Sequence, residues 1–355
     1  FMGKWRYKKK SKIYTYRKRD NVDIANQSSN SITEKRKNNN NDISMEITIP
    51  VLSNTSYDLS KFDFSFKDIK IVDINSDEFE AYIEAQQPNI KEANMSFPKR
   101  IIENAYGEYD KKYAIIKNNP KENFKYTDIL NVWKILLIIF PSDLQIEYDI
   151  VYTFEDGFFQ RSYMSSDPKR GDYENYLFSD DEYLEEINEY IRLVFDRLNL
   201  TNYIGIAIEN YLTSYSASHI HYQYLTLCIA LESIISGNQE LIYRIRRSVA
   251  ILCGKDLFNC HRIYDNLNKL YTLRSKIIHG ESFDYKKVAE YLPPLKSIVS
   301  RTIIELLIHN IPTNTELNLK ITEVGFGDRT KISESWKHFT LNIITHVESN
   351  WKKIE

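Results

Sequence analysis

Within "LYTLRSKIIHG", residues 270 to 280, six consecutive positions hold Arg274, Ser275, Lys276 and His279. An imidazole with an ordinary pKa of about 6.5 can give and take protons at neutral pH, an effect typically worth ~10²–10⁴-fold in rate. A guanidinium stays charged, and its planar fork matches the oxygens of a phosphate. One of each suits a phosphodiester that carries its own nucleophile, the 2′-hydroxyl beside the scissile phosphate of RNA. Such cleavage needs no metal and no protein nucleophile. Tyr271 and Ser275 precede His279 at four-residue steps, so on a helix they share its face and could bind phosphate or orient the imidazole. Lys276 is a candidate auxiliary phosphate contact, and Glu232 a candidate orienter of a cation. Both also fit an ordinary surface.

These residues sit at the end of a helix. Leu267, Leu270, Leu273 and Ile277 recur at three- and four-residue spacing and form one apolar stripe. Gly280 directly after His279 is a natural terminator. Cations at a helix C-terminus are favoured by its dipole, so the cluster also has a reading without chemistry. Geometry adds a constraint. Five α-helical residues turn about 500°, which leaves Arg274 and His279 about 140° apart with a rise of about 7.5 Å. Either the helix end distorts at Gly280, or two copies face each other and build a shared site.

The rest of the chain divides into regions. Residues 1 to 40 hold 12 Lys/Arg against 3 Asp/Glu, a balance of +9, whereas the remainder balances at −11. The tail over 1–44 is expected to be disordered, basic and Asn-rich, with RNA contact an option because cations alternate with aromatics. An α+β domain is expected over 45–178, possible sensor or regulator. "MEITIPV" alternates as a strand, and "FDFSFKDIKIVDI" (62–74) offers two short strands. Asn75 with Glu78 resembles a capping box for a helix through about Ala85. A helix over 126–140 follows, and "LQIEYDIVYTF", Asp156-Gly157 and "FFQRSYM" read as a hairpin. From 179 to 310 the pattern is helical. A Ser179–Glu182 capping box leads the segment with Leu184 to Leu198, and further helices are expected near 203–216, 220–236, 239–253, 261–279 and 286–309. The extension 311–355 offers a strand-like "LNLKITEV" and a helix near 333–350.

Several chemistries are excluded or weak. The longest apolar run, 129–140, spans 12 residues and holds Asn131 and Lys134, too short to cross a bilayer. With no secretory signal ahead of the first domain, the expectation is a cytoplasmic protein. Cys228, Cys253 and Cys260 form no CxxC pair, so reduced buried thiols are expected. Cys253, Cys260 and His261 lack a fourth zinc ligand, and His219 with His221 is a weak metal signal. "GFGDR" (325–329) lacks the setting of a dinucleotide site. No metal and no cofactor are expected.

The order of "ALESIISG" (230–237), "ELIYRIRRSVAILCG" (240–254) and "LYTLRSKIIHG" (270–280) resembles the ApeA-like branch of the HEPN superfamily, over roughly residues 200 to 310. Its hallmark is an arginine, a polar residue, spacers and a histidine, matched by Arg274, Ser275, Lys276, Ile277, Ile278 and His279. Active members often have Asn, His or Asp where Ser275 stands; serine is common in the ApeA-like branch. The resemblance implies an α+β N-terminal domain followed by an all-α HEPN-like helical bundle. It implies a metal-independent endoribonuclease of the anti-phage abortive-infection type, with Arg274 and His279 catalytic, RNA (tRNA included) as substrate and a phage-derived trigger or regulatory partner. It also implies a homodimer with both motifs lining one cleft. Two other classes compete: a non-catalytic HEPN module for dimerisation and RNA or nucleotide binding, and a helical scaffold in which Arg274 and His279 only close a polar network.

Overall fold

A computed structural model describes residues 45–55, 57–86, 111–118, 125–142, 144–155, 158–165, 184–200, 202–235, 240–254 and 256–324. The tail over 1–44, the Asp156-Gly157 turn, the Ser179–Glu182 capping box and the helix near 333–350 lie outside them.

The N-terminal part is mixed. Strands β1 (Met45–Thr55), β2 (Ile69–Asp73), β3 (Lys111–Lys117), β4 (Gln145–Glu155) and β5 (Phe158–Ser165) form one sheet in the order β2-β3-β1-β4-β5. β3 pairs antiparallel with both neighbours, Ile71 opposite Ile115 on one side and Val51 opposite Ala114 on the other. Where two strands were expected over 62–74 there is one: Asp63 accepts from the Ser65 backbone N–H and the chain makes a 3₁₀ turn over Ser65–Lys67. Asp68 then takes a left-handed φ of 58° before β2 begins. Helix α1 (Asp77–Gln86) is capped by Ser76, not Asn75, since the Ser76 hydroxyl accepts from the Phe79 N–H. The Asn75 N–H is spent on Asp73.

Helix α2 (Tyr126–Ile139) buries Ile129, Val132 and the run Ile135 to Ile139, so it is apolar nearly all round. Such a helix must be enclosed. Its partners are α4 (Tyr203–Ser216) and α8 (Tyr285–His309): Tyr211 Oη donates to the Leu137 carbonyl at 2.8 Å and Ser300 to that of Ile138. Sheet and helices therefore share one continuous core, from Leu52 to Ile321.

The bundle follows from its periodicities. α3 (Leu184–Val194) buries Ile187, Tyr190, Ile191 and Val194 on one stripe and tightens into a 3₁₀ turn at Phe195–Arg197. α4 begins where the Asn202 side chain accepts from the N–H groups of Ile204 and Gly205. Gly205 is required there, because a Cβ would stand 1.8 Å from the Leu200 carbonyl oxygen. α5 (Ile220–Ile234) and α6 (Leu241–Cys253) follow, then α7 (Leu257–Ile278). α7 starts four residues earlier than its stripe suggests because Asp256 accepts from the Asn259 N–H at 2.7 Å. α8 runs through Pro293-Pro294. The carbonyls those prolines cannot serve belong to Ala289 and Glu290, both exposed to water. "LNLKITEV" is no strand: α9 (Asn314–Val324) is a helix, with Glu316 N–H on the Thr313 hydroxyl and Leu317 and Ile321 buried four residues apart.

Candidate functional site

The site is built on the last two turns of α7. Cys260, Ile263, Leu267, Leu270, Tyr271 and Leu273 form its buried side. The helix ends in a Schellman arrangement: Glu281 N–H donates to the Lys276 carbonyl and Gly280 N–H to that of Ile277. Gly280 takes φ +68° with open space around it, so its role is conformational. His279, the C-cap, still donates its N–H to the Ser275 carbonyl at 3.0 Å. The chain thus stays helical through the motif and departs only at Gly280. Within one chain, Arg274 and His279 remain on different sides of α7, about 140° apart.

Arg274 is half-buried and paired across to α5. Its Nη2 lies 3.0 Å from both carboxylate oxygens of Glu232. The two side chains are 25% and 19% exposed, so solvent screens the pair only in part. Arg274 Nε is buried without a hydrogen bond, and Nη1 bonds none of the described residues. Arg274 also lines an open cleft of about 820 Å³ together with Glu240, Leu241, Ile242 and Tyr243 from the start of α6. His279, Lys276 and Ser275 surround the helix end; the first two are exposed, the third half-buried. None of the three side chains bonds another described residue. Glu232, read from the sequence as a candidate orienter of a cation, has Arg274 as its cationic neighbour.

Tyr271 does not belong to this surface. It is 1% exposed, and its hydroxyl donates to the Cys228 carbonyl of α5 at 3.2 Å. Burial pushes its phenol pKa well above the ordinary value, helped by Cys228 and Glu232. A ring locked between two helices cannot reach a phosphate outside them; Tyr271 is a packing residue.

The upstream arginines hold the bundle together. Arg244 donates to the Asn318 side chain and Arg247 to the Ile321 carbonyl, tying α6 to α9. Arg246 donates to the Tyr264 carbonyl and lies 3.7 Å from that ring. Cys228, Cys253 and Cys260 are buried thiols outside any disulfide; burial first, then the Glu232 carboxylate, pushes the Cys228 thiol up. Among the described residues no group of three His, Cys, Asp or Glu could hold a metal ion. None of their helices is long and apolar enough to cross a membrane.

Two groups near the site were not singled out by spacing. The cleft wall at Glu240 to Tyr243 opens the quoted segment 240–254 but is not read there as a site, and its apolar members Ile242 and Tyr243 are 45% and 48% exposed. His219 and His221, read as a weak metal pair, instead stack against each other and meet Tyr222, Phe283 and Tyr285. The signal available was the aromatic content of "SHIHY" and "SFDY" at the starts of α5 and α8. No family model, curated protein or solved structure matches the chain.

Proposed function

We propose that the chain is a metal-independent endoribonuclease of the HEPN type, working as a homodimer in the cytoplasm. The supporting observation is the division of labour at the end of α7. A guanidinium is fixed by Glu232 at the edge of an open cleft, its Nη1 bonding none of the described residues, and the exposed imidazole of the C-cap residue of the same helix bonds none of them either. In the reaction the RNA 2′-hydroxyl attacks the adjacent phosphorus and the P–O5′ bond breaks. His279 handles the proton leaving O2′ or reaching O5′, and Arg274 stabilises charge on the non-bridging oxygens. Because α7 keeps Arg274 and His279 apart, the productive pair combines Arg274 of one copy with His279 of the other. The role as an abortive-infection effector, with the α+β region as sensor and a phage-derived trigger, rests on the sequence resemblance.

Purified protein incubated with total RNA and with a tRNA pool, with and without chelator, tests the reading. Cleavage that persists in chelator and vanishes in His279→Ala supports it; intact RNA under all conditions overturns it. A second reading is favoured by the Glu232–Arg274 pair, which would equally serve a HEPN module that dimerises and binds RNA or a nucleotide without cutting. RNA binding with no cleavage distinguishes it.

A further inference from the structure

The aromatic cluster joined to the motif through the α7–α8 connection has the properties of a ligand surface. His219, His221 and Tyr222 at the start of α5 contact one another, and through His221 they meet Phe283 of the α7–α8 connection and Tyr285 of the first turn of α8. His221 is central: its ring centroid lies 5.5 Å from His219, 4.3 Å from Tyr222, 6.2 Å from Phe283 and 5.9 Å from Tyr285. Phe283 and Tyr285 are 5.0 Å apart. Tyr222 and Tyr285 nevertheless remain 53% and 58% exposed, so the rings form a shelf, not a core. Beneath it His221 Nδ1 is buried with no hydrogen bond, whereas buried polar atoms ordinarily have a partner. The protein itself leaves a polar group unsatisfied at the floor of the shelf.

The surroundings favour a polyanion with flat rings. Lys286 and Lys287 are exposed next to Tyr285. His219 supplies no side-chain cap to α5, so the leading N–H groups of that helix face a partially positive end. Of the nearby carboxylates, Asp284 already accepts from the Lys286 N–H at 2.9 Å, and Glu281 is exposed in the same connection. The connection itself starts at His279, four residues before Phe283.

We infer that His219, His221, Tyr222, Phe283 and Tyr285 form a stacking platform for bases of single-stranded RNA entering the site at His279. This rests on the ribonuclease reading and adds how substrate is held: bases are recognised by their faces, with little sequence preference, each stacked base tightening binding about tenfold.

The test uses the full chain carrying His279→Ala, so that RNA stays intact, and compares a short fluorescein-labelled single-stranded RNA with an abasic ribose-phosphate oligomer of equal length. The RNA should bind at least about tenfold more tightly. Tyr222→Ala with Tyr285→Ala should remove most of that difference, while Tyr222→Phe with Tyr285→Phe should keep it. Equal affinities, or a base preference that survives the alanine pair, overturns the platform. A readout free of folding effects is 2-aminopurine placed along the RNA: quenching on binding supports stacking, and its absence at every position sinks it. The parent reading is judged separately by wild-type cleavage. Cleavage without tyrosine dependence rejects the platform alone; base-dependent binding lost in the alanine pair, without cleavage, rejects the nuclease alone. A dimer that falls apart in light scattering on the alanine pair, with RNA affinity unchanged, assigns the rings to a second copy and overturns the proposal.

Discussion

Arg274 grips Glu232 with a single nitrogen: Nη2 stands 3.0 Å from each carboxylate oxygen, linking α7 to α5 across 42 residues of sequence. A fork-to-fork pair would spend two guanidinium nitrogens; this one spends Nη2 alone, and Nη1 bonds none of the described residues. On the ribonuclease reading proposed above, Glu232 positions Arg274.

Removing one member of that pair should therefore cost more than a surface change. Arg274→Ala leaves a half-buried carboxylate unpaired and should lower stability by ~1–3 kcal/mol, besides abolishing cleavage. Adding Glu232→Gln should restore much of the stability and none of the activity. Urea midpoints and RNA cleavage by the two single variants and the double variant give the cycle. Recovery of cleavage in the double variant would remove Arg274 from the chemistry.

His279→Ala is the opposite case. The side chain is exposed and bonds no described residue, so stability should change by ~0.5 kcal/mol or less while cleavage is lost. Products of the wild-type protein should carry a 2′,3′-cyclic phosphate and a 5′-hydroxyl, and excess EDTA should leave the rate unchanged. Ends bearing 5′-phosphate, or activity restored only by Mg²⁺, would point to a metal-assisted reaction.

The motif was legible because α7 obeys simple periodicity: Leu267, Leu270 and Leu273 mark its buried side, and Gly280 marks its end. What sequence could not supply was partnership between helices. Tyr271 shares a helical face with Ser275 and His279, yet only packing against Cys228 shows that this face enters the core before it reaches solvent. The Glu232–Arg274 pair was likewise hidden by sequence distance. "LNLKITEV" misled because alternation over eight residues matches a strand, while its buried pair, Leu317 and Ile321, also fits a helix; the Thr313 cap decided between them. The aromatic shelf gathers three segments that no local pattern connects.

Tyr271→Phe separates a packing role from a ligand role. Deleting the hydroxyl strands the Cys228 carbonyl and should cost about 1 kcal/mol, with cleavage retained per folded molecule. A large loss of activity at unchanged stability would return Tyr271 to the site.

A second buried network lies far along α8. Glu305, fully buried, forms an ion pair with Arg301 at 2.5 Å and meets His309 at 3.2 Å, one turn to either side. Burial, then the Glu305 carboxylate, pushes the Tyr190 phenol of α3 up. Glu305→Ala leaves the Arg301 cation buried and should destabilise by ~3–5 kcal/mol. Glu305→Leu combined with Arg301→Met should recover most of it. Denaturant titration decides; a mild effect of the single change would mean that water or another acceptor satisfies Arg301.

Assembly is the last expectation, and it follows from the regularity of α7. His279 still donates to Ser275, so no local unwinding brings His279 toward Arg274, and a two-fold pair of helix ends is required for both to meet one phosphate. At that end Ile278 is 47% exposed, apolar surface that a second copy would cover; Tyr271, being interior, takes no part. The interface should be isologous, with Ser275, Ile278 and His279 near their counterparts. Light scattering should give twice the chain mass, and activity per chain should fall on dilution below the dimer dissociation constant. Ile278→Glu should shift the dissociation constant upward by tenfold or more, about 1.4 kcal/mol or greater, and activity should follow the remaining dimer. Mixed dimers of Arg274→Ala and His279→Ala keep one intact Arg274–His279 combination, so co-expression of the two inactive chains should restore part of the activity. A monomer that cleaves RNA at full rate would reject the shared site.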